Sequence, residues 1–146
     1  MNCRRGLKLY IKVISVGKIK EKSILERIEY YTKVIGGKLT FIELKDSNKE
    51  TEGKKILEKL SGKVFILSEE GIEFTSREFA AELKKIQEEI TFVIGGPFGL
   101  SEEVKAKGVI IALSKMTFTH EMCKMFLLEQ IYRAISINQG KKYHKD

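Results

Sequence analysis

The sequence predicts an α/β fold in which a parallel sheet carries helices on both faces. Two uncharged runs rich in β-branched and aromatic residues, 90–94 and 109–113, are typical of strands buried on both faces. Three further strand patterns alternate with helical patterns along the chain, and this alternation favours parallel pairing. At 146 residues, 42% of them hydrophobic, the chain fits one domain, residues 1–146, with a sizeable core.

The individual elements follow from residue patterns and their stop signals. Glycines end several segments, and Thr75 with Glu78 has the spacing of a capping box, a strong helix start. Residues 1–8 are predicted as a loose extension. The other predicted strands are residues 9–16, 38–44 and 63–67. The predicted helices are residues 23–35, 54–60, a segment beginning at Ser76, 101–107 and 120–138.

Two polar segments are predicted as loops. Residues 45–53 carry few apolar side chains and are expected to form a mobile surface loop. Residues 68–71, Ser-Glu-Glu-Gly, are expected to form an acidic loop after the third strand. Both lie between segments with clear strand or helix periodicity.

Composition limits the partners and the compartment. Lys and Arg outnumber Asp and Glu by 27 to 20, a net charge of +7 that favours a polyanionic partner, nucleic acid first. Cys3 and Cys123 form no CxxC motif, so neither a disulfide framework nor a metal site is expected, and a reducing cytoplasm is the simplest location. No apolar run reaches the roughly 18 residues of a membrane span.

The glycine-rich segment ITFVIGGPFGL, residues 90–100, is the main candidate for a binding loop. Gly95, Gly96 and Gly99 would let a ligand approach the main chain, and Pro97 fixes one φ angle. Loops at the carboxyl ends of buried strands are where open α/β sheets bind ligands. A plain tight turn is the alternative. The segment matches neither the G-x-G-x-x-G fingerprint nor a P-loop.

Three loops are expected to converge on one pocket. They follow Leu67, Ile94 and Leu113, and parallel strands place their carboxyl ends at the same edge of the sheet. Ser114 in the third loop has no neighbouring base in sequence, so a loop-capping role fits it better than that of a nucleophile.

The C-terminal region has two distinctive features. The predicted final helix is apolar over much of its circumference, which indicates either full burial or, with greater weight, a homodimer interface. The tail, residues 140–145, combines lysines, Tyr143 and His144, as an RNA contact requires, but its spacing alone favours a frayed basic terminus.

Four ordered motifs between residues 9 and 145 resemble the RlmH family, the large-subunit ribosomal RNA pseudouridine N3-methyltransferases of the SPOUT superfamily. The motifs are Phe-Val-Ile-Gly-Gly at 92–96 with Gly-Leu-Ser at 99–101, Ser-Lys-Met-Thr-Phe at 114–118 with His120, Leu-Glu-Gln-Ile-Tyr-Arg-Ala at 128–134, and Tyr-His-Lys at 143–145.

The resemblance implies a SPOUT-type single domain with a parallel-rich sheet, a C-terminal trefoil knot and a homodimer. It also implies S-adenosylmethionine as methyl donor, without a metal, bound in the knot loops. The residues to which this cofactor site maps are Leu67, Gly95, Leu113, Ser114, Lys115, Met116, Thr117 and Phe118, and the glycine loop adds Gly96 and Gly99.

The implied substrate is a pseudouridine in a helix-loop of large-subunit rRNA, methylated at N3 on the assembled ribosome. His144 and Tyr143, reaching the partner's pocket, become candidates for positioning or deprotonating the base. Arg133 completes this predicted catalytic set, and both Arg133 and Lys145 become candidates for holding phosphate.

Three departures from the family pattern stand out. Thr119 replaces a usual proline, and Ser68 and Glu73 replace a usual Asp and Lys. Two other functions stay open: a non-catalytic RNA- or ribosome-binding module on the same fold, and an enzyme that binds another nucleotide in the same loop.

Overall fold

The structure, a computed structural model, describes residues 9–145, so the predicted extension of residues 1–8 lies outside the described residues. Five strands form one sheet in the order β2-β1-β4-β3-β5, and every pairing between them is parallel. This confirms the predicted parallel α/β architecture. The strands are β1 Ile11–Val16, β2 Leu39–Leu44, β3 Lys63–Glu73, β4 Ile90–Ile94 and β5 Val109–Ala112.

Helices cover both faces of this sheet, as predicted. They are α1 Lys22–Ile35, α2 Lys49–Lys59, α3 Ser76–Lys85, α4 Glu102–Lys105 and α5 His120–Asn138. Neighbouring strand residues point to opposite faces. Val13 and Phe92 therefore join a core cluster with α1, α3 and α5, whereas Ile14 and Val93 join a second cluster with α2 and α4.

The predicted capping box at the start of α3 is present. The Thr75 hydroxyl accepts a hydrogen bond from the Glu78 backbone N–H at 3.1 Å, and the Glu78 carboxylate accepts one from the Thr75 N–H at 2.8 Å. These reciprocal bonds satisfy two backbone donors at the helix start. The predicted bounds of α5 are also confirmed.

The predicted loop at residues 45–53 was wrong in its second half, because α2 begins at Lys49 instead of Lys54. Asn48 caps this helix by accepting a hydrogen bond from the Thr51 N–H at 2.8 Å. Glu52 is buried and accepts a hydrogen bond from the Ser47 N–H at 2.6 Å. A cap and a partnered carboxylate therefore stabilise a helical turn that lacks apolar residues.

The predicted acidic loop at residues 68–71 was also wrong, because β3 continues to Glu73. Its pairing with β5 shifts register between Leu67 and Ile72, so the polar residues form an irregular part of the strand. A Cβ atom on Gly71 would lie 2.6 Å from the Ile110 carbonyl, and glycine therefore permits this close pairing.

Candidate functional site

One cleft lies at the carboxyl edge of the sheet, beside the loops that were predicted to converge. Its volume is about 850 Å³, within the usual range of small-molecule sites. Of the ten predicted cofactor residues, those that line it are Leu67, Gly95, Gly96, Gly99, Leu113, Ser114, Met116, Thr117 and Phe118. Lys115 is exposed and does not line it. The cofactor role of all ten residues stays a prediction.

The glycine loop after β4 is folded tightly against its surroundings. A Cβ atom on Gly95 would lie 2.9 Å from the Leu100 Cγ, and one on Gly96 would lie 3.0 Å from the Val16 Cγ1. Gly99 has a φ angle of +78°, and its N–H donates to the Gly96 carbonyl at 3.0 Å. The absence of side chains thus allows a compact loop whose main chain borders the cleft.

The loop after β5 forms another wall of the cleft. The Ser114 hydroxyl accepts a hydrogen bond from the Met116 N–H at 3.0 Å, which gives Ser114 the loop-capping contact that the sequence favoured. The Phe118 ring meets the Phe126 ring edge-on, with the centroids 5.3 Å apart. Met116 is 75% exposed, so its thioether is accessible at this wall.

Sequence reasoning missed the wall that α1 and α5 contribute. Glu21 and Ile24 line the cleft on one side, and His120, Glu121 and Cys123 line it from the first turn of α5. His120 belongs to a motif that was recognised, but no local pattern indicated its position. The His120 ring lies beside Gly17, where a Cβ atom would be 3.5 Å from its Nε2, and the two residues are far apart in the chain.

Two charged side chains of α5 fix the loop between β1 and α1. The Lys124 ammonium is buried and donates to the Gly17 carbonyl at 2.7 Å. One Glu121 carboxylate oxygen accepts hydrogen bonds from the N–H groups of Lys20 and Glu21, both at 3.1 Å. This loop is therefore tied to the start of α5.

The same environment shifts three pKa values. The backbone hydrogen bond from Glu21 lowers the pKa of the Glu121 carboxyl. Burial lowers the pKa of the Lys124 ammonium. Burial also lowers the pKa of the His120 imidazole, and the positive charge of Lys124 lowers it further. The imidazole next to the cleft is therefore biased towards its neutral form.

The three predicted catalytic residues form a second cluster. The Arg133 guanidinium nitrogen lies 3.1 Å from the His144 Nδ1, and its Cζ lies 4.7 Å from the Tyr143 ring centroid. Glu129 binds Arg133 at 2.5 Å and accepts a hydrogen bond from the Tyr143 hydroxyl at 3.2 Å. Burial raises the pKa of the Tyr143 phenol. The structure thus brings the three predicted residues together.

This terminal cluster does not border the cleft at the carboxyl edge of the sheet of its own chain. Arg133, Tyr143 and His144 are absent from the cleft lining. Glu129 borders a smaller cavity of about 280 Å³, which shares Leu113 and Phe118 with the larger cleft. The catalytic roles of Arg133, Tyr143 and His144 therefore stay predictions.

Neither a metal site nor a membrane helix is found within residues 9–145. No three His, Cys, Asp or Glu side chains of this segment are grouped as metal ligands would be. None of its helices combines the length and the apolar character that a membrane span requires.

Comparison with known proteins identifies the family. A family model described as "Predicted SPOUT methyltransferase" matches residues 9–144. A protein of Acholeplasma laidlawii (strain PG-8A) named Ribosomal RNA large subunit methyltransferase H is 42% identical, over 92% of this chain and 99% of that protein. The chain belongs to the RlmH family of SPOUT methyltransferases. Relatives of the same name from Ligilactobacillus salivarius and Bacillus thuringiensis are 41% and 40% identical, with the same coverage.

A solved structure supports the fold of this RlmH-family chain. The structure of a probable methylase family protein from Haemophilus influenzae Rd KW20 aligns with a TM-score of 0.56 at 14% identity. The alignment covers 91% of this chain and 67% of that chain. At this identity the likeness concerns the fold alone.

Thr119, the departure at a position where the RlmH family usually has proline, has a structural role here. Its hydroxyl accepts a hydrogen bond from the Met122 N–H at 3.3 Å and so caps α5. Ser68 lines the cleft, whereas Glu73 is exposed at the end of β3. The first departure therefore preserves the helix start on which the cleft depends.

Proposed function

We propose that this RlmH-family chain transfers a methyl group from S-adenosylmethionine to N3 of a pseudouridine in large-subunit rRNA on the assembled ribosome. One structural observation carries the proposal: the loops at the ends of three strands border a single cleft that has the size of a cofactor site. The relatives named as ribosomal RNA large subunit methyltransferases support the choice of substrate.

The cleft fits the donor in both shape and charge. Leu67, Leu113 and Phe118 offer apolar surface, and the glycine loop offers main-chain groups to an adenosine and a methionine moiety. Glu21 and Glu69 place carboxylates along the lining, which suits a ligand that carries a sulfonium and an ammonium group. Bound there, the sulfonium supplies an electrophilic methyl group, so transfer requires alignment but no metal.

The chain must also hold the pseudouridine and remove the N3 proton. We assign phosphate contact to Arg133 and Lys145, and base positioning or deprotonation to Tyr143 and His144. The Arg133 and Glu129 contacts support the assignment of Tyr143 and His144 because they hold the imidazole and the phenol close together. Since this cluster is absent from the cleft lining of its own chain, we propose that it completes the cleft of a partner chain.

A homodimer supplies that partner. Large apolar side chains stay exposed on α1 and α5, where two copies would bury them. They are Leu25, Tyr30, Val34 and Met122, each between 38% and 45% exposed. The C-terminal trefoil knot, the single domain over residues 1–146 and the cytoplasmic location belong to the same proposal and rest on the RlmH family membership.

Methyl transfer to ribosomes tests the proposal. Purified protein is incubated with labelled S-adenosylmethionine and with ribosomes that lack the modification, and the label in each rRNA is measured. Label in the large-subunit rRNA would support the proposal that this chain is an rRNA methyltransferase. RNA binding without transfer, by folded protein, would favour the non-catalytic module, and binding of ATP or NAD in place of the donor would favour another nucleotide enzyme.

A further inference from the structure

The loop between β1 and α1 presents positive charge next to the cleft. Lys18 and Lys20 are exposed, whereas Ile19 between them is only 5% exposed and anchors the loop in the core. Glu21, the next residue, lines the cleft. The two exposed lysines therefore belong to a loop that runs into the lining of the proposed cofactor site, and the positive charge of Lys20 contributes to lowering the pKa of His120 in that lining.

The backbone of this loop is held in place from the opposite side. Lys124 binds the Gly17 carbonyl, and Glu121 binds the N–H groups of Lys20 and Glu21. The Lys20 ammonium makes no ion pair among residues 9–145. A fixed backbone reduces the entropy that ligand binding would cost.

Neither lysine of this loop is ion-paired with a carboxylate among residues 9–145. Lys18 likewise has no ion pair within the described part of the chain, whereas Lys105 on the cleft lining is paired with Glu70 at 3.4 Å. Two free ammonium groups on a fixed loop are suited to phosphate oxygens, which accept charge-assisted hydrogen bonds.

We propose that Lys18 and Lys20 form a phosphate-binding rim that holds the rRNA backbone beside the cofactor cleft. The inference rests on the proposed function and extends it, since it adds an RNA contact on the cofactor-binding side of the site. The partner is the phosphate backbone of RNA, so the contact positions the substrate without reading its sequence.

The test compares two variants that each remove two positive charges. Lys18→Gln/Lys20→Gln changes the rim. Lys84→Gln/Lys85→Gln changes two exposed lysines in the last turn of α3, which leads back to the amino edge of the sheet. For both, we would measure methyl-transfer kcat and KM for ribosomes, the Kd for S-adenosylmethionine, and rRNA affinity as a function of salt.

We expect the rim variant to raise the KM for ribosomes about tenfold near 0.1 M salt, and to reduce the slope of log affinity against log salt by about 1.5. Its kcat and its Kd for the donor stay at wild-type values, and the α3 variant behaves like the wild type. If the rim variant and the α3 variant had the same KM for ribosomes and the same salt slope, the proposal would be overturned.

The two proposals fail in different ways. If the wild-type protein transfers no methyl group, the proposed function fails. The phosphate contact of Lys18 and Lys20 is then still tested by comparing the salt dependence of rRNA affinity between the rim variant and the wild type. If the wild-type enzyme is active and the rim variant keeps the wild-type KM and salt slope, only the proposed phosphate contact is rejected. Wild-type protein without any affinity for rRNA would reject both.

Discussion

The Lys124 ammonium lies 2.7 Å from the Gly17 carbonyl oxygen and links the first turns of α5 to the end of β1. The two residues are separated by 107 positions in the chain, and both are buried. Val16, next to Gly17, packs against the glycine loop at Gly96. This single hydrogen bond therefore connects three segments that surround the proposed cofactor cleft.

Replacing Lys124 by Met should destabilise the protein. The Gly17 carbonyl would lose its partner within a buried site, which costs about 1–3 kcal/mol, while the apolar side chain retains most of the packing. Urea denaturation measures the loss, and Lys107→Met, at an exposed position after α4, serves as control. An unchanged free energy of unfolding in Lys124→Met would show that the bond contributes no stability.

A methyl group at Gly95 should weaken cofactor binding. The added Cβ of Gly95→Ala would lie 2.9 Å from Leu100 and would displace the loop that borders the cleft. Calorimetry should show the Kd for S-adenosylmethionine raised about tenfold or more, as expected for a displaced binding loop. Gly37→Ala is the matched control, since its Cβ meets no atom within 4 Å. If Gly95→Ala and Gly37→Ala bound S-adenosylmethionine equally well, the glycine loop would not be part of the cofactor site.

His120 should titrate below its ordinary pKa of 6.5, because burial and Lys124 disfavour the imidazolium. Since the unfolded chain then binds more protons just below pH 6.5, the contribution of His120 to stability is complete above pH 6.5 and is lost as the pH falls through the folded-state pKa. Nuclear magnetic resonance can follow the two histidines of the chain, with His144→Ala to assign them. A His120 pKa at or above 6.5 would contradict this account.

Mixed dimers should show whether the terminal cluster acts on the partner's cleft. At a donor concentration well below the Kd, Gly95→Ala is expected to lower transfer about tenfold or more. His144→Ala is expected to lower transfer about a hundredfold or more without changing the donor affinity. Statistical mixing of these chains should restore about a quarter of the wild-type activity, because half of the dimers contain one intact composite site. No recovery in dimers shown to exchange subunits would place the cluster and the cleft in one chain.

Sequence patterns predicted the elements whose signals are local. The uncharged run Ile90–Ile94 and the capping box at Thr75 specify their own structures, and parallel pairing then brings the loop ends together. The convergence of Leu67, Gly95 and Leu113 on one cleft was therefore predictable from the alternation of strands and helices.

The parts that were missed depend on distant contacts. A lysine within a helical pattern usually indicates a solvated face, yet Lys124 is buried because Gly17 approaches it from the far end of the chain. Glu121 binds backbone N–H groups about 100 positions away, so no local pattern predicts its role. The continuation of β3 through residues 68–71 likewise requires β5 as a partner, which the sequence does not specify.

The most direct test of the central proposal is transfer of labelled methyl groups to two preparations of unmodified ribosomes, one with and one without pseudouridine in the large-subunit rRNA. We predict label in that rRNA only when pseudouridine is present, and its loss with Gly95→Ala. Absence of label in both preparations, from protein shown to be folded and dimeric, would contradict the proposed function.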